Sequence, residues 1–225
     1  MKKRGVLFDL DGTLVFTLED IQKALNYAIS TFYGNEENLI SLDECRQSVG
    51  HGLKNLVKTA LFVKGLNPKE SEIKTMYNLL MEYYTLHPSD FSYAYQGVFE
   101  MLDLLKKKDF IIGIFSNKKD ELVRVILKKV FPSFEFDFIL GMGGGFKAKP
   151  DCEGLDYFRK LNNLNKDECI YIGDSEVDYK TGQQGGVETI IVGWGFRNET
   201  DLMNAGINES YIVDNVDKLV KRVVR

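Results

Sequence analysis

Five short apolar runs, unevenly spaced, constrain this chain more than any other feature. Gly5–Leu10, Ile111–Phe115, Phe138–Leu140, Ile170–Ile172 and Thr189–Val192 are rich in β-branched and aromatic residues. That is the composition of strands buried on both faces of a parallel sheet. From the second run onward the starts fall about 20–30 residues apart, the spacing of βα units. Between the first run and the second lie roughly 100 residues, too many for one crossover helix. The spacing therefore predicts an α/β fold on a parallel sheet, interrupted after its first strand by a long insertion.

The insertion, residues 17–90, reads as helical throughout, leaving residues 1–16 and 91–225 for the sheet-bearing core. Thr17-Leu18-Glu19-Asp20 can open a helix that runs to Tyr33 and stops at Gly34. Ser41-Leu42-Asp43-Glu44 is a capping-box pattern. Gly50 and Gly52 interrupt, and a third helix follows over Leu53 to Val63. Asn67-Pro68-Lys69-Glu70 offers an N-cap, a Pro at N1 and a Glu at N3. The helix it starts places Ile73, Tyr77, Leu80 and Tyr84 on one face and ends near His87-Pro88. Tyrosines 77, 83, 84, 93 and 95 are read as packing residues. Short loops between four helices predict a small bundle.

Composition narrows the classes of function. The chain has 225 residues, 44% apolar and 28% charged, with 29 basic and 33 acidic side chains for a net charge of −4. An acidic chain without a basic tract is a poor match for nucleic acid or an anionic membrane. No run approaches the ~18 apolar residues of a membrane span. Three cysteines without a C-x-x-C pair read as free thiols in a reducing compartment, so the cytoplasm is expected.

The chemistry concentrates at strand ends. Phe8-Asp9-Leu10-Asp11-Gly12-Thr13-Leu14 stands where the first strand runs out, the edge at which open α/β sheets bind ligands. Two carboxylates so close repel each other unless a cation lies between them or one holds a proton. A divalent metal with an Asp nucleophile or acid beside it fits. A polar strand end with an Asx turn fits too. The other strand ends weigh between these readings. Ser116-Asn117-Lys118 ends the second strand with a hydroxyl and an amide that can bind an oxyanion. Gly173-Asp174-Ser175-Glu176-Val177-Asp178 ends the fourth with two acids four residues apart. Between them Lys147-Ala148-Lys149-Pro150-Asp151 supplies a lysine that can offset phosphate and carboxylate charge. Each segment alone is ordinary surface, but all fall in order at equivalent ends of successive βα units.

Together these segments resemble the motifs of the haloacid dehalogenase superfamily of phosphohydrolases. Asp9-x-Asp11-Gly12-Thr13 matches the first motif and Ser116 the second. Lys149 before Pro150 matches the third, and Gly173-Asp174-x-x-x-Asp178 the fourth. The resemblance implies a Rossmann-like three-layer core with a small all-helical cap inserted after the first strand. It also implies Mg²⁺-dependent hydrolysis of a small phosphorylated metabolite through an aspartyl phosphate. Asp9 would be the nucleophile, and Asp11 the acid and then the base. The metal would be held by Asp9, the Asp11 carbonyl and Asp174, with Asp178 on a metal-bound water or behind the ligands. Ser116 and the Asn117 N–H would bind phosphate oxygens, and Lys149 would offset the charges of Asp9 and the phosphate.

Val49-Gly50-His51-Gly52 and Gly193-Trp194-Gly195-Phe196 look like phosphoglycolate phosphatases within that superfamily. This places 2-phosphoglycolate among the candidate substrates, with His51 and Lys54 as candidate cap contacts. The alternatives are phosphoryl transfer within a sugar phosphate, as in β-phosphoglucomutases, pyrophosphate hydrolysis, phosphonate cleavage by Lys54 or Lys58, and a non-catalytic binding role. Those mutases tend to carry Val where this chain has Thr13, which favours hydrolysis. The chain departs from the family at Phe16-Thr17, where Asp-Ser is frequent, and at Cys152, where a second proline is frequent. A monomer or a homodimer is expected, with neither nucleic acid nor membrane as partner.

Overall fold

A computed structural model describes residues 2–50 and 52–224, so the expectation for His51 falls outside the described residues. The first half of the chain runs β1 (Gly5–Phe8), β2 (Val15–Phe16), α1 (Leu18–Tyr33), α2 (Leu42–Ser48), α3 (Leu53–Val63), α4 (Glu70–Leu86) and β3 (Tyr93–Ala94). It continues α5 (Val98–Lys107), β4 (Ile111–Lys119), α6 (Asp120–Val130), β5 (Phe138–Met142), α7 (Glu153–Leu161), β6 (Cys169–Gly173), α8 (Glu176–Gly185), β7 (Glu188–Val192), α9 (Glu199–Asn204), β8 (Ile212–Val213) and α10 (Val216–Val223). The chain forms two compact units, one of residues up to Phe16 together with Ala94 onward, the other Thr17–Tyr93.

The first unit is built on six strands in the order β5-β4-β1-β6-β7-β8, every neighbouring pair parallel. Alternation along the strands divides the core. Val6, Phe8, Ile112, Ile114, Ile170 and Ile172 pack on one face with α5, α6 and α10. Leu7, Phe115, Cys169 and Tyr171 pack on the other with Leu155 and Phe158 of α7. Each strand is thus apolar on both sides, which is why its sequence reads as a continuous run. The sixth strand, β8, has two residues, too few for any periodic signal.

Register sets the functional edge. Phe8 pairs with Ile114 on one side and Ile172 on the other, and Ile172 pairs with Ile190. The residues that follow these partners emerge together at the carboxyl end of the sheet. The first strand stops at Phe8, not Leu10, so Asp9 and Asp11 do not share the face of a continuing strand. Asp9 still donates its N–H to the Ile172 carbonyl (2.8 Å), after which the chain turns.

The second unit is the helical one. α1 packs along α4, α2 touches α1 and α3, and α3 touches α4. The Ser41–Glu44 capping box forms as two reciprocal bonds, and Gly34 closes α1 in the left-handed conformation. Two local expectations are corrected. α4 starts at Glu70 rather than after Asn67, because the Glu72 carboxylate accepts the Lys69 N–H (2.6 Å) and fixes the first turn there. Its buried face is Ile73, Met76, Leu80 and Tyr84. Tyr77 lies half-buried at the margin, because Met76 and Leu80, four apart, already carry the stripe. Of the five tyrosines Tyr84 is fully buried. Tyr93 is exposed, while Tyr77, Tyr83 and Tyr95 are half-buried, Tyr83 stacked on Tyr27 and Tyr95 packed against the sheet's core.

Candidate active site

Gly12 makes the first turn of the site possible. Its φ of +82° suits only glycine, and a Cβ there would lie 2.1 Å from Asp174 Oδ2. A Cβ on Gly173 would lie 2.2 Å from Asp178 Cγ. Both glycines of the acidic motifs therefore stand where carboxylates press against backbone.

Asp9, Asp174 and Asp178 each bring a carboxylate oxygen to within 4.8 Å of the others, and all three are buried. Lys149 reaches into this cluster, donating from Nζ to Asp9 Oδ1 (2.6 Å) and Asp178 Oδ1 (2.7 Å). Asp178 also accepts from the Tyr171 hydroxyl (2.8 Å) and, on Oδ2, from Ser175 Oγ (2.5 Å). Ser175 is the N-cap of α8, so one short segment both starts a helix and holds Asp178. Asp174 Oδ2 accepts the Phe196 N–H (2.7 Å). Among the described residues, no hydrogen bond reaches Asp9 Oδ2 or Asp174 Oδ1.

Asn117 has a structural task. Its side chain donates to the Lys149 carbonyl (3.1 Å) and accepts the Lys149 N–H (2.8 Å), pinning the lysine's backbone to the end of β4. The Lys149–Pro150 peptide in this segment is cis. Ser116 is buried, and its Oγ accepts the Lys118 N–H (3.2 Å). Asp11, on the turn after Asp9, accepts from Lys118 Nζ at 2.5 Å. Lys54 lies in α3 of the helical unit, exposed and ion-paired with Glu70.

Burial and like charge push the acids away from their ordinary behaviour. Asp9 is raised to about 7, first by burial and then by Asp178 and Asp11, with Lys149 pulling against them. Asp174 is raised well above the carboxylate range by burial and by its neighbours Asp178 and Asp9. Burial alone would lower Lys149, but Asp178 and Asp9 outweigh it and hold the ammonium firmly protonated. Fully ionised, the carboxylates of Asp9, Asp11, Asp174 and Asp178 would outnumber the ammonium groups of Lys118 and Lys149 that pair with them, and the raised Asp9 and Asp174 reflect that crowding. A divalent cation would neutralise that excess, and the oxygens without a bond belong to Asp9 and Asp174. The donor set is all oxygen, which suits a hard ion such as Mg²⁺.

The structure therefore brings together Asp9, Asp11, Ser116, Asn117, Lys149, Asp174 and Asp178 at one sheet edge. Lys118 and Tyr171 join them without having been assigned a role from the sequence. For Lys118 a signal existed: it lies two residues beyond Ser116, and strand alternation gives both the same side. Tyr171 reads as one more apolar strand residue, and nothing local marks its hydroxyl.

Comparison with known proteins places this geometry. Residues 6–192 match the family model for haloacid dehalogenase-like hydrolases. A phosphoglycolate phosphatase of Cereibacter sphaeroides is 31% identical over 195 residues, 86% of this chain and 87% of that one. The pyrophosphatase PpaX of Listeria welshimeri is 29% identical over 198 residues, 88% and 86% of the two chains. A crystal structure from Lactobacillus delbrueckii subsp. bulgaricus superposes with a TM-score of 0.91 at 28% identity, covering 100% of this chain and 99% of the other.

Proposed function

This chain belongs to the haloacid dehalogenase-like hydrolase family, and from that premise we propose that it is a Mg²⁺-dependent phosphatase of a small phosphomonoester, acting through an aspartyl phosphate on Asp9. One observation carries the reading. Three buried carboxylates converge within 4.8 Å while Lys149 spans two of them, an arrangement costly to fold and useful for holding a cation and a phosphate dianion together.

Mg²⁺ would be held by Asp9, Asp174 and the Asp11 carbonyl, where it would withdraw charge from a phosphate oxygen and keep Asp9 ionised. One carboxylate oxygen of Asp9 attacks phosphorus as the ester P–O bond breaks. The leaving oxygen takes its proton from Asp11. Water then attacks the aspartyl phosphate, Asp11 accepts a proton from it, and the P–O bond to Asp9 breaks to release phosphate. Lys149, fixed by Asp178 and by the Asn117 side chain, offsets the charge of the nucleophile and the phosphoryl oxygens. Ser116 Oγ and the Asn117 N–H serve those oxygens as donors. Asp178 acts by holding Lys149, since both its oxygens already accept bonds from protein donors. Spontaneous phosphomonoester hydrolysis is slow enough that enzymes of this kind reach accelerations of ~10²¹-fold, which accounts for so many groups on one phosphoryl. The helical unit would serve as the cap that chooses the leaving group.

The test is phosphate release from 2-phosphoglycolate, pyrophosphate, sugar phosphates and p-nitrophenyl phosphate, with Mg²⁺ and after chelation. We expect release that requires the metal, with one small ester or pyrophosphate strongly preferred. Release that survives exhaustive chelation, or none from any of these with Mg²⁺ present, overturns the reading.

A further inference from the structure

Lys118 is a buried lysine whose ammonium meets the carboxylate of Asp11. It is 5% exposed, and its side chain only 2%. A cation so far from water needs polar partners, and one of them is Asp11, with Oδ1 at 2.5 Å from Nζ across 107 residues of sequence. The backbone explains why this lysine and not its neighbour points inward. β4 continues to Lys119, but its register with β5 shifts between Phe115 and Lys119. Within that irregular stretch alternation still holds: Ser116 and Lys118 are buried, Asn117 is half-buried and Lys119 is exposed. The Lys118 N–H also donates to Ser116 Oγ, so one two-residue step fixes both side chains.

The two strand-end aspartates therefore have separate lysines. Lys149 serves Asp9, and Lys118 serves Asp11. Asp11 is 18% exposed on a turn, and the ion pair with Lys118 fixes one of its two oxygens. We propose that Lys118 is a positioning residue for Asp11, an inference that rests on the functional reading above. It holds the carboxyl group at the place from which the leaving oxygen is protonated. As that proton departs, negative charge develops on the oxygen Lys118 touches, so the ion pair strengthens along the reaction and favours the transition state. In the second half of the cycle the same contact keeps the carboxylate aimed at the attacking water.

Because Lys118 acts through Asp11, its loss must depend on how much the leaving group needs a proton. The experiment compares Lys118→Met with the wild type on an alkyl phosphate and on p-nitrophenyl phosphate, with Mg²⁺ present. The value of kcat/KM reports the first phosphoryl transfer. We expect a loss of about 10–100-fold on the alkyl ester and a much smaller loss on p-nitrophenyl phosphate, whose phenolate departs without a proton. We also expect the Lys118→Met effect to vanish in an Asp11→Asn background, measured in single turnovers at high enzyme concentration. Equal losses on both esters, a loss that persists beside Asp11→Asn, or no loss at all would overturn the proposal. If the Met variant does not fold, judged by its melting curve, Lys118→Gln takes its place under the same expectations. A wild type that releases phosphate while these patterns fail removes the role of Lys118 alone. A wild type that releases none removes the functional reading and this inference with it.

Discussion

The two compact units bury charge in opposite ways. In the helical unit Asp20 is 2% exposed, and its carboxylate accepts the N–H groups of Asp90 and Phe91 (both 3.0 Å) and the Ser92 hydroxyl (2.5 Å). Fixed dipoles of the same unit answer that charge, tying the start of α1 to the segment that leaves the bundle. In the sheet-bearing unit Lys149 pairs with Asp9 and Asp178, while burial and neighbouring acids push Asp9 and Asp174 toward their protonated forms. A carboxylate satisfied by backbone is structure, because nothing further can bind it. A carboxylate cluster short of positive charge is a site, because a cation or a proton must complete it.

The sharpest way to break this contrast is Asp9→Asn. The amide cannot form the acyl phosphate, so phosphate release should fall by roughly 10⁴-fold or more. The same variant tests the electrostatics without turnover. Asp9 titrates near 7 in the folded protein against an ordinary value of 3.8, so its contribution to stability is present below about pH 4 and lost as pH rises through about 7. Asn carries no such penalty. In the presence of a chelator Asp9→Asn should melt about 2 °C or more above the wild type at pH 8, and the gain should fade as pH falls below 7. A gain independent of pH would show that the charge of Asp9 is not what strains the metal-free site.

The opposite substitution sharpens the other side. Asp20→Ala leaves two backbone N–H groups and a hydroxyl without their acceptor and should cost about 2–3 kcal/mol in a urea melt. Because its partners lie within the helical unit, calorimetric Mg²⁺ binding should be unchanged; a weakened Mg²⁺ affinity would show that the two units do not divide their labour this way. The smallest effect is expected at Ser41→Ala. Losing one arm of the α2 capping box should cost about 1 kcal/mol, with phosphate release unchanged.

Much of this was legible in the chain before any coordinates. The parallel sheet could be read because its strands are apolar on both faces, and the insertion because about 100 residues cannot be one crossover. Helices α1, α2 and α3 could be read because their ends carry local chemistry, Gly34 in one and the Ser41–Glu44 pair in another. Asp9, Asp11, Ser116, Lys149, Asp174 and Asp178 stood out because strand ends carry ligands. The start of α4 was misplaced because Asn67-Pro68 and Lys69-Glu72 are competing local signals, and one hydrogen bond chooses between them. β8 was invisible because two residues have no period.

The sequence by itself thus determined which side chains stand at the sheet's carboxyl edge, since that follows from strand order and the length of each apolar run. Only the tertiary structure decided how those side chains pair. Lys149 with Asp9 and Asp178, Lys118 with Asp11, Tyr171 with Asp178 and Asn117 with the Lys149 backbone are contacts between distant segments or across a turn. Such pairings depend on strand register and on the few ångströms of room left by Gly12 and Gly173. Register is set by packing the whole sheet, so no local stretch of sequence encodes it.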